Sequence, residues 1–527
     1  MEKQLAIIPQ PVSIVYTEGI FSSKGLPEIK GAGEFSKEIE TFKAQLLNDI
    51  EKTNLYRAEK SSCNIDTGKF VNCVLSRELN AANRDAVCDA NCDAVCEEYR
   101  LVIKNDGITV SASTGAGVFN ALQTYRQMIL SHYKDGSLTL PCAEINDYPR
   151  FAWRGLMLDC ARYFYSAPFI KNLIDVMSLH RLNRFHWHLN DDQGWRLPVP
   201  EYPLLTEIGS RRLDIRLQFE HYTGGFYSED DIRSIVEYAA ARHIEVIPEI
   251  DLPGHASAVL AAYPGLGCTG GPYRVENRFG VFEDVLCAGN NEIFDLAEKV
   301  FDTLVKLFPF PYVHIGGDEV LFNRWKNCPK CQNRLKELNL NEPQQLQSRI
   351  TSVLVQMLAK RNRIAIGWEE VLDDCEKFPL PKETVVMSWR GNEGGIKASR
   401  RGHSVIMTPS GDGCYLDHKQ YDSPEEPGQR WAGVLTAYKS YSMDPVTPEM
   451  SKEDAAHILG GQGNLWSELI YAGKIAEYML FPRLCALSEV FWTAKENRNF
   501  DDFARRLKTH RTRLDNLGVQ QYRGALK

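Results

Sequence analysis

The 527-residue sequence predicts an α/β protein: a small N-terminal α+β domain over residues 1–148, then a (β/α)₈ TIM barrel over residues 149–527. Three observations predict it. The length exceeds what one hydrophobic core ordinarily fills. From Phe151 onward, short apolar runs alternate with amphipathic helical stretches, the rhythm of parallel strands joined by crossover helices. Almost every apolar run then ends in charged, aromatic or His residues, as strands do when their carboxyl ends converge on one face.

The elements follow in order. Residues 99–113, YRLVIKNDGITVSAS, are two alternating runs around Asn105-Asp106-Gly107, which signals a hairpin. TGAGVFNALQTYRQMIL, from Thr114, has helical spacing of its apolar residues. These predict a small sheet carrying a helix, with no dense cluster of ionisable groups and a role in packing beside the larger domain. The barrel strands are GLMLDCAR, followed by a helix from about Pro168; RFHWHLND; IEVIPEIDLPG, after a helix near 229–242; then YVHIGGDE, RIAIGWEE, TVVMSWR, HSVIMTPS and ILGGQGNLWSE. A doubly wound open sheet is the competing arrangement, but it calls for a glycine-rich phosphate loop after the first strand, and none is there.

Composition is that of a globular protein, 43% hydrophobic and 25% charged. The net charge of −8 argues against a nucleic-acid or anionic-membrane partner, and no apolar run reaches the roughly 18 residues of a membrane span. The N-terminal MEKQLAIIPQPVSI lacks the apolar core of a signal peptide. The expected setting is periplasmic, cell-surface or secreted, with any leader absent from this chain; the cytoplasm stays open.

Fourteen cysteines are many for a cytosolic enzyme but too few for a disulfide scaffold. Cys268 and Cys287 flank a Gly-rich excursion and are placed to staple a long loop. Cys328-Pro-Lys-Cys331 is a lone CxxC, with no second Cys or His pair at zinc spacing, so a local disulfide or free thiols is the expectation. Cys88, Cys92 and Cys96 recur four apart, sharing a face if helical, with the same reading. No metal and no cofactor are expected.

The strand-end residues are Arg162, Asp191, His255, Asp318–Glu319, Trp368–Glu369, Trp389, Tyr415–Asp417 and Trp466–Glu468. One such acid reads as a helix cap, and one such Trp as core. Eight clusters in series read as a site. Trp368, Trp389 and Trp466 with a tyrosine make an aromatic wall for the apolar faces of a sugar, and the acids and Arg162 suit its hydroxyls. No phosphate loop or nucleophile elbow appears, so the reading is carbohydrate hydrolysis.

Adjacent acids are odd for that chemistry, because glycosidases usually set two carboxyls about 5 Å or about 6.5–9.5 Å apart across the scissile bond. A third option removes the difficulty: a 2-acetamido sugar supplies its own nucleophile. One acid then protonates the leaving oxygen, and its neighbour grips the acetamido N–H. The alternative, a helix-capping Asp–Glu pair after Gly316-Gly317, remains.

HIGGDE at 314–319 resembles the signature of family 20 glycoside hydrolases, the β-N-acetylhexosaminidases. The resemblance runs through IPQPVSI, RGLMLDCARYF, NRFHWHLNDDQGWR, PEIDLPGH, GWEE, SWR, YLD and GGQGNLWSE, long motifs in the family's order. It implies a small α/β domain followed by a (β/α)₈ barrel, and exo-acting release of terminal β-linked GlcNAc or GalNAc from oligosaccharides and glycoconjugates by a retaining, substrate-assisted route. It also implies Glu319 as general acid and base, Asp318 orienting the acetamido group and Tyr415 hydrogen-bonding its carbonyl. Trp368, Trp389 and Trp466 would enclose the sugar; Arg162, Asp417 and Glu468 would bind its hydroxyls. Asp191 and His255 would tune Glu319, which must hold a proton, and His314 would support. His418 departs from the pattern where an aromatic is common, and the 268–287 loop is a candidate for shaping specificity.

Two other readings stay open. His186-Trp-His188, with Asp191, Asp192 and His255, resembles the HxH of metal-dependent hydrolases. A catalytically silent sugar-binding barrel is the other, although none of Asp318, Glu319 and Tyr415 is missing. A homodimer is compatible with the sequence.

Overall fold

The computed structural model describes residues 4–31, 33–52, 65–76, 97–214 and 222–527; the Cys88–Cys92–Cys96 repeat lies outside the described residues. Seven strands form the first sheet: β1 (Ser13–Lys24), β2 (Leu26–Gly31), β3 (Ile65–Leu75), β4 (Tyr99–Ile103), β5 (Ile108–Ala112), β6 (Tyr133–Lys134) and β7 (Ser137–Asp147). Their order is β1-β7-β4-β5-β3-β2, with β6 beside β7. The expected hairpin is β4–β5, antiparallel with Ile103 opposite Ile108 and closed by reciprocal backbone bonds between Lys104 and Gly107. Its alternating apolar residues point into one core.

The expected helix spans Gly115–His132, and the Thr114 hydroxyl accepts from Gly117 N–H at its start. This helix is buried almost throughout because it lies between the sheet and the barrel. Arg126 on it pairs with Asp49 of the helix Ser36–Lys52 at 2.7 Å and with Asp175 of the barrel helix Ala167–Leu179 at 2.6 Å. Gln45 also bonds Asp175, at 2.8 Å. The fold thus assembles a dense buried polar cluster from residues that are far apart in sequence, which the sequence reading did not anticipate. Removing one partner of such a buried pair costs about 3–5 kcal/mol.

The barrel strands are β8 (Trp153–Asp159) and β9 (Arg184–His188), then two short pairs, β10–β11 (Asn190–Asp191, Gly194–Trp195) and β12–β13 (Arg211–Leu213, Tyr222–Gly224). Six more follow: β14 (Glu245–Glu249), β15 (Tyr312–His314), β16 (Ile364–Trp368), β17 (Val385–Ser388), β18 (Val405–Met407) and β19 (Ile458–Leu465). β8, β9 and β14 to β19 close into a parallel barrel, built from all eight expected runs in the expected order. Period-two alternation divides each strand between barrel interior and helix layer. His186 and His188 of β9 reach inward, to Gln462 and Glu249, whereas Phe185 and Trp187 join the outer core. The interior is plugged by Trp153, Ile247, Ile366, Met387 and Ile406, so it is a packed core and the site sits above it.

Candidate active site

The floor of the site is a row of ionisable side chains at the strand ends. Register sets Asp159 opposite His188, His188 opposite Glu249, and Glu249 opposite His314. The buried Glu249 carboxylate lies 2.5 Å from His188 Nδ1, 2.9 Å from His314 Nδ1 and 3.0 Å from His186 Nε2, and it accepts Trp368 Nε1–H at 3.0 Å. Burial alone would raise its pKa, but the three imidazoles, His188 foremost, hold it well below the ordinary value. His188 is correspondingly raised: Glu249 and Asp191 outweigh its own desolvation. Asp159 and Glu249 were not singled out in the sequence. The signal was a charge ending an otherwise apolar strand, which is also how a helix cap reads.

Above the floor, the chain leaves β15 by a turn that only glycine permits. Gly316 and Gly317 have φ +66° and +99°, and Glu319 follows at +52°. A Cβ on Gly316 would lie 1.9 Å from Asp251 Oδ1, the atom that accepts Gly317 N–H at 2.9 Å. The turn breaks the strand's alternation, so the adjacent acids are not sent to opposite faces. Asp318 is buried, and burial with the neighbouring Asp251 drives its pKa well above the usual carboxylate range. Its Oδ1 has no partner among the described residues.

Glu319 is 37% exposed, and its Oε2 lies 3.5 Å from His255 Nε2. The other ring nitrogen of His255 lies 3.0 Å from Asp192 and 3.2 Å from Asp191. Burial would hold His255 neutral, but Asp191 and Asp192 raise its pKa well above normal. Asp191 and His255 do sit behind Glu319, but the direction of tuning differs from expectation. The hydrogen bond to His255 is the largest influence on Glu319 and lowers its pKa, against a smaller rise from desolvation.

The remaining residues converge over the same face. Arg162 reaches Asp191 at 2.8 Å and Asp159 at 3.4 Å, and lies 5.0 Å over the Trp466 ring. Trp389 stacks on Tyr415 with centroids 6.2 Å apart. Trp466 lies 6.4 Å from Tyr415 and 5.8 Å from Trp368, so the four rings form one continuous wall. Burial pushes Glu468 up to about 7, against the pull of Arg162. Asp318 Oδ1, Asp417 Oδ1, Glu468 Oε2 and Arg162 Nε are buried polar atoms on this face with no partner among the described residues. Buried polar atoms are ordinarily satisfied, so this set fits a ligand rich in N–H and O–H groups. Sequence reasoning missed Glu370, held by Trp389 Nε1 and by Arg390 at 2.6 Å, and Trp431, an exposed ring 5.9 Å from Tyr415.

The HxH pair is committed to the floor. His188 sits between Glu249 and Asp191, at 2.5 and 3.0 Å. His186 sits between Glu249 at 3.0 Å and the Gln462 amide at 3.0 Å.

A closed parallel barrel with acids and aromatic rings converging at its strand ends is the framework against which the relatives are compared. The model of the glycosyl hydrolase family 20 catalytic domain matches residues 151–495, and that of the family's domain 2 matches residues 4–148. The chain belongs to glycosyl hydrolase family 20. It is 39% identical over 431 residues to a beta-hexosaminidase of Porphyromonas gingivalis, covering 81% of this chain and 54% of that protein. It is 36% identical over 400 residues to a beta-hexosaminidase of Vibrio furnissii, covering 74% and 64%. The chain therefore spans less than two thirds of either relative. Among solved structures, the GH20 exo β-N-acetylglucosaminidase of Vibrio harveyi in complex with N-acetylglucosamine superimposes with TM-score 0.85 at 30% identity, covering 98% of this chain and 78% of that one.

Proposed function

We propose that this chain removes terminal β-linked N-acetylhexosamine from glycans with retention of configuration, using the substrate's acetamido oxygen as nucleophile. The observation that carries the reading is the pairing of a half-exposed acid, Glu319, with a buried neighbour, Asp318, whose Oδ1 has no partner among the described residues. In this reaction the acetamido carbonyl oxygen bonds to C1 as the C1–O bond breaks, and Glu319 gives its proton to the departing oxygen. The positive charge developing on the ring so formed favours the ionised state of Asp318, whose proton passes to solvent, and the carboxylate accepts the acetamido N–H and balances that charge. Glu319, now a carboxylate, takes a proton from water as that water attacks C1 and regenerates the acetamido group. Two inversions at C1 give net retention.

Trp368, Trp389 and Trp466 would enclose the acetamido methyl and sugar ring, while Tyr415 would donate to the carbonyl oxygen and hold it against C1. Arg162, Asp417 and Glu468 would bind hydroxyls of a terminal residue, which closes the site to internal sugars and makes the action exo. His255, held by Asp191 and Asp192, would fix the Glu319 carboxyl, and His314 would brace Trp368 from below. Entry of the sugar strips water from Glu319, and desolvation raises a carboxyl's pKa, so substrate would supply the proton-holding state that the free site disfavours.

The test is release of p-nitrophenol from its β-N-acetylglucosaminide beside the plain β-glucoside. A site built to bond an N–H rejects the analogue lacking it by about 10⁴-fold or more. Comparable rates on both, or cleavage of internal bonds in a long polymer as the main activity, would overturn the reading.

A further inference from the structure

Four cysteines that the reaction does not use converge from two loops, those that follow β14 and β15. Cys268 follows the 3₁₀ turn Pro264–Leu266, Cys287 closes the Gly-rich excursion, and Cys328 and Cys331 flank the first turn of the helix Pro329–Glu337. Their sulfurs all lie within 4.8 Å of one another. Cys268–Cys331 is 3.9 Å, Cys287–Cys328 is 3.7 Å and Cys287–Cys331 is 3.6 Å. A disulfide needs about 2.05 Å, and no pair is singled out by being closer than the rest. Four thiolates at about 2.3 Å from a tetrahedral zinc ion lie about 3.8 Å apart, which is the spacing found.

The surroundings are built for such a centre. Cys287, Cys328 and Cys331 are buried and Cys268 is half-buried, among Leu266, Leu286 and Trp325. Hydrogen bonds hold the ligand segments together: Cys287 N–H to the Leu266 carbonyl at 2.8 Å, and the Trp325 indole Nε1–H to the Leu286 carbonyl at 2.9 Å. At Gly289 a Cβ would lie 2.2 Å from the Lys330 carbonyl carbon, so that glycine lets the Cys287 and Cys331 segments touch. A lone CxxC was a weak signal because its two partners arrive singly, from 41 and 63 residues away.

We infer that Cys268, Cys287, Cys328 and Cys331 bind one zinc ion as a closed structural site. With four protein ligands and no open position, such an ion ties segments together and takes no part in hydrolysis. The segments it ties both border the sugar site. One carries His255 and the excursion whose Glu276 N–H bonds the Asp192 carbonyl at 3.0 Å and whose Arg278 carbonyl accepts from Gln193. The other is the chain leaving Asp318–Glu319. The ion would fix these two loops relative to each other, in place of the stapling disulfide read from the sequence.

The experiment is elemental analysis of the full chain after exhaustive gel filtration in zinc-free buffer, with mercurial titration of the thiols in the presence of a zinc-sensitive dye. The expected result is about one zinc per chain, released in step with thiol modification, and its loss in Cys328→Ser/Cys331→Ser. If that variant does not fold, Cys268→Ser, at the half-buried edge, should release zinc to a chelator at least tenfold faster than wild type. Absence of zinc with a disulfide among these four cysteines on peptide mapping, stoichiometric iron in its place, or full zinc retention in the double variant would each overturn the assignment.

Discussion

Asp318→Asn separates the chemistry from the scaffold. If Asp318 balances positive charge on the acetamido-derived ring, its carboxylate acts from roughly 4 Å in a water-poor site, where two unit charges attract by about 4 kcal/mol at an effective dielectric of 20. At 1.36 kcal/mol per tenfold that is about 10³ in rate. The amide keeps an acceptor for the N–H, so a loss in kcat of about 10²–10³ is expected. Stability should move the other way. Burial and Asp251 raise the folded-state pKa of Asp318 well above 3.8, so between those values the folded protein binds more protons than the unfolded chain, and wild type loses stability as pH rises through the window. The amide has no proton to lose. The variant's melting midpoint should match wild type below about pH 4 and exceed it increasingly above, by about 1.4 kcal/mol per unit of the interval crossed. Steady-state kinetics with the aryl β-N-acetylglucosaminide, together with melting curves across pH, give both readouts. A kcat within tenfold of wild type, or a variant less stable at pH 7, would refute the reasoning.

Glu319→Gln should lower kcat about 10²–10⁴-fold on a natural disaccharide and much less on dinitrophenyl leaving groups that need no proton; equal losses on both would remove Glu319 as the acid. His255 lowers Glu319 in the free site, and activity needs its protonated form, so activity falls as pH rises through its pKa. That basic limb should lie at lower pH in kcat/KM than in kcat, because only the latter reports the sugar-covered state; coincident limbs would count against substrate-driven protonation. Gly316→Ala should cost about 1–3 kcal/mol in backbone strain alone, and its Cβ would displace Asp251, so melting midpoint and kcat should fall together; an unchanged pair would mean the turn is not demanding.

The eight barrel strands were legible because each is a compact apolar run with a polar end. The residues that line the candidate site were legible because their types recur at those ends. Glu249 was not, because its role depends on β9, β14 and β15 lying side by side so that His186, His188 and His314 surround one carboxylate. The lowered Glu319 was not legible either, since it rests on a 3.5 Å approach by a histidine from another loop. The same holds for Arg126, whose partners Asp49 and Asp175 are 77 and 49 residues away. Local pattern carries periodicity and residue type; it does not carry which loops meet.

Trp492 belongs by sequence to the last turns of the barrel, yet it is buried in the core of the first domain and donates its Nε1–H to Asp147 at 2.9 Å. The backbone of Arg150 bonds its carbonyl, and Thr493 bonds that of Gln10. During synthesis the N-terminal sheet therefore emerges well before the indole that completes its interior. At about 5–20 residues per second, that wait is on the order of tens of seconds. Until then the sheet carries an open apolar seat that only a residue from the far side of the barrel fills.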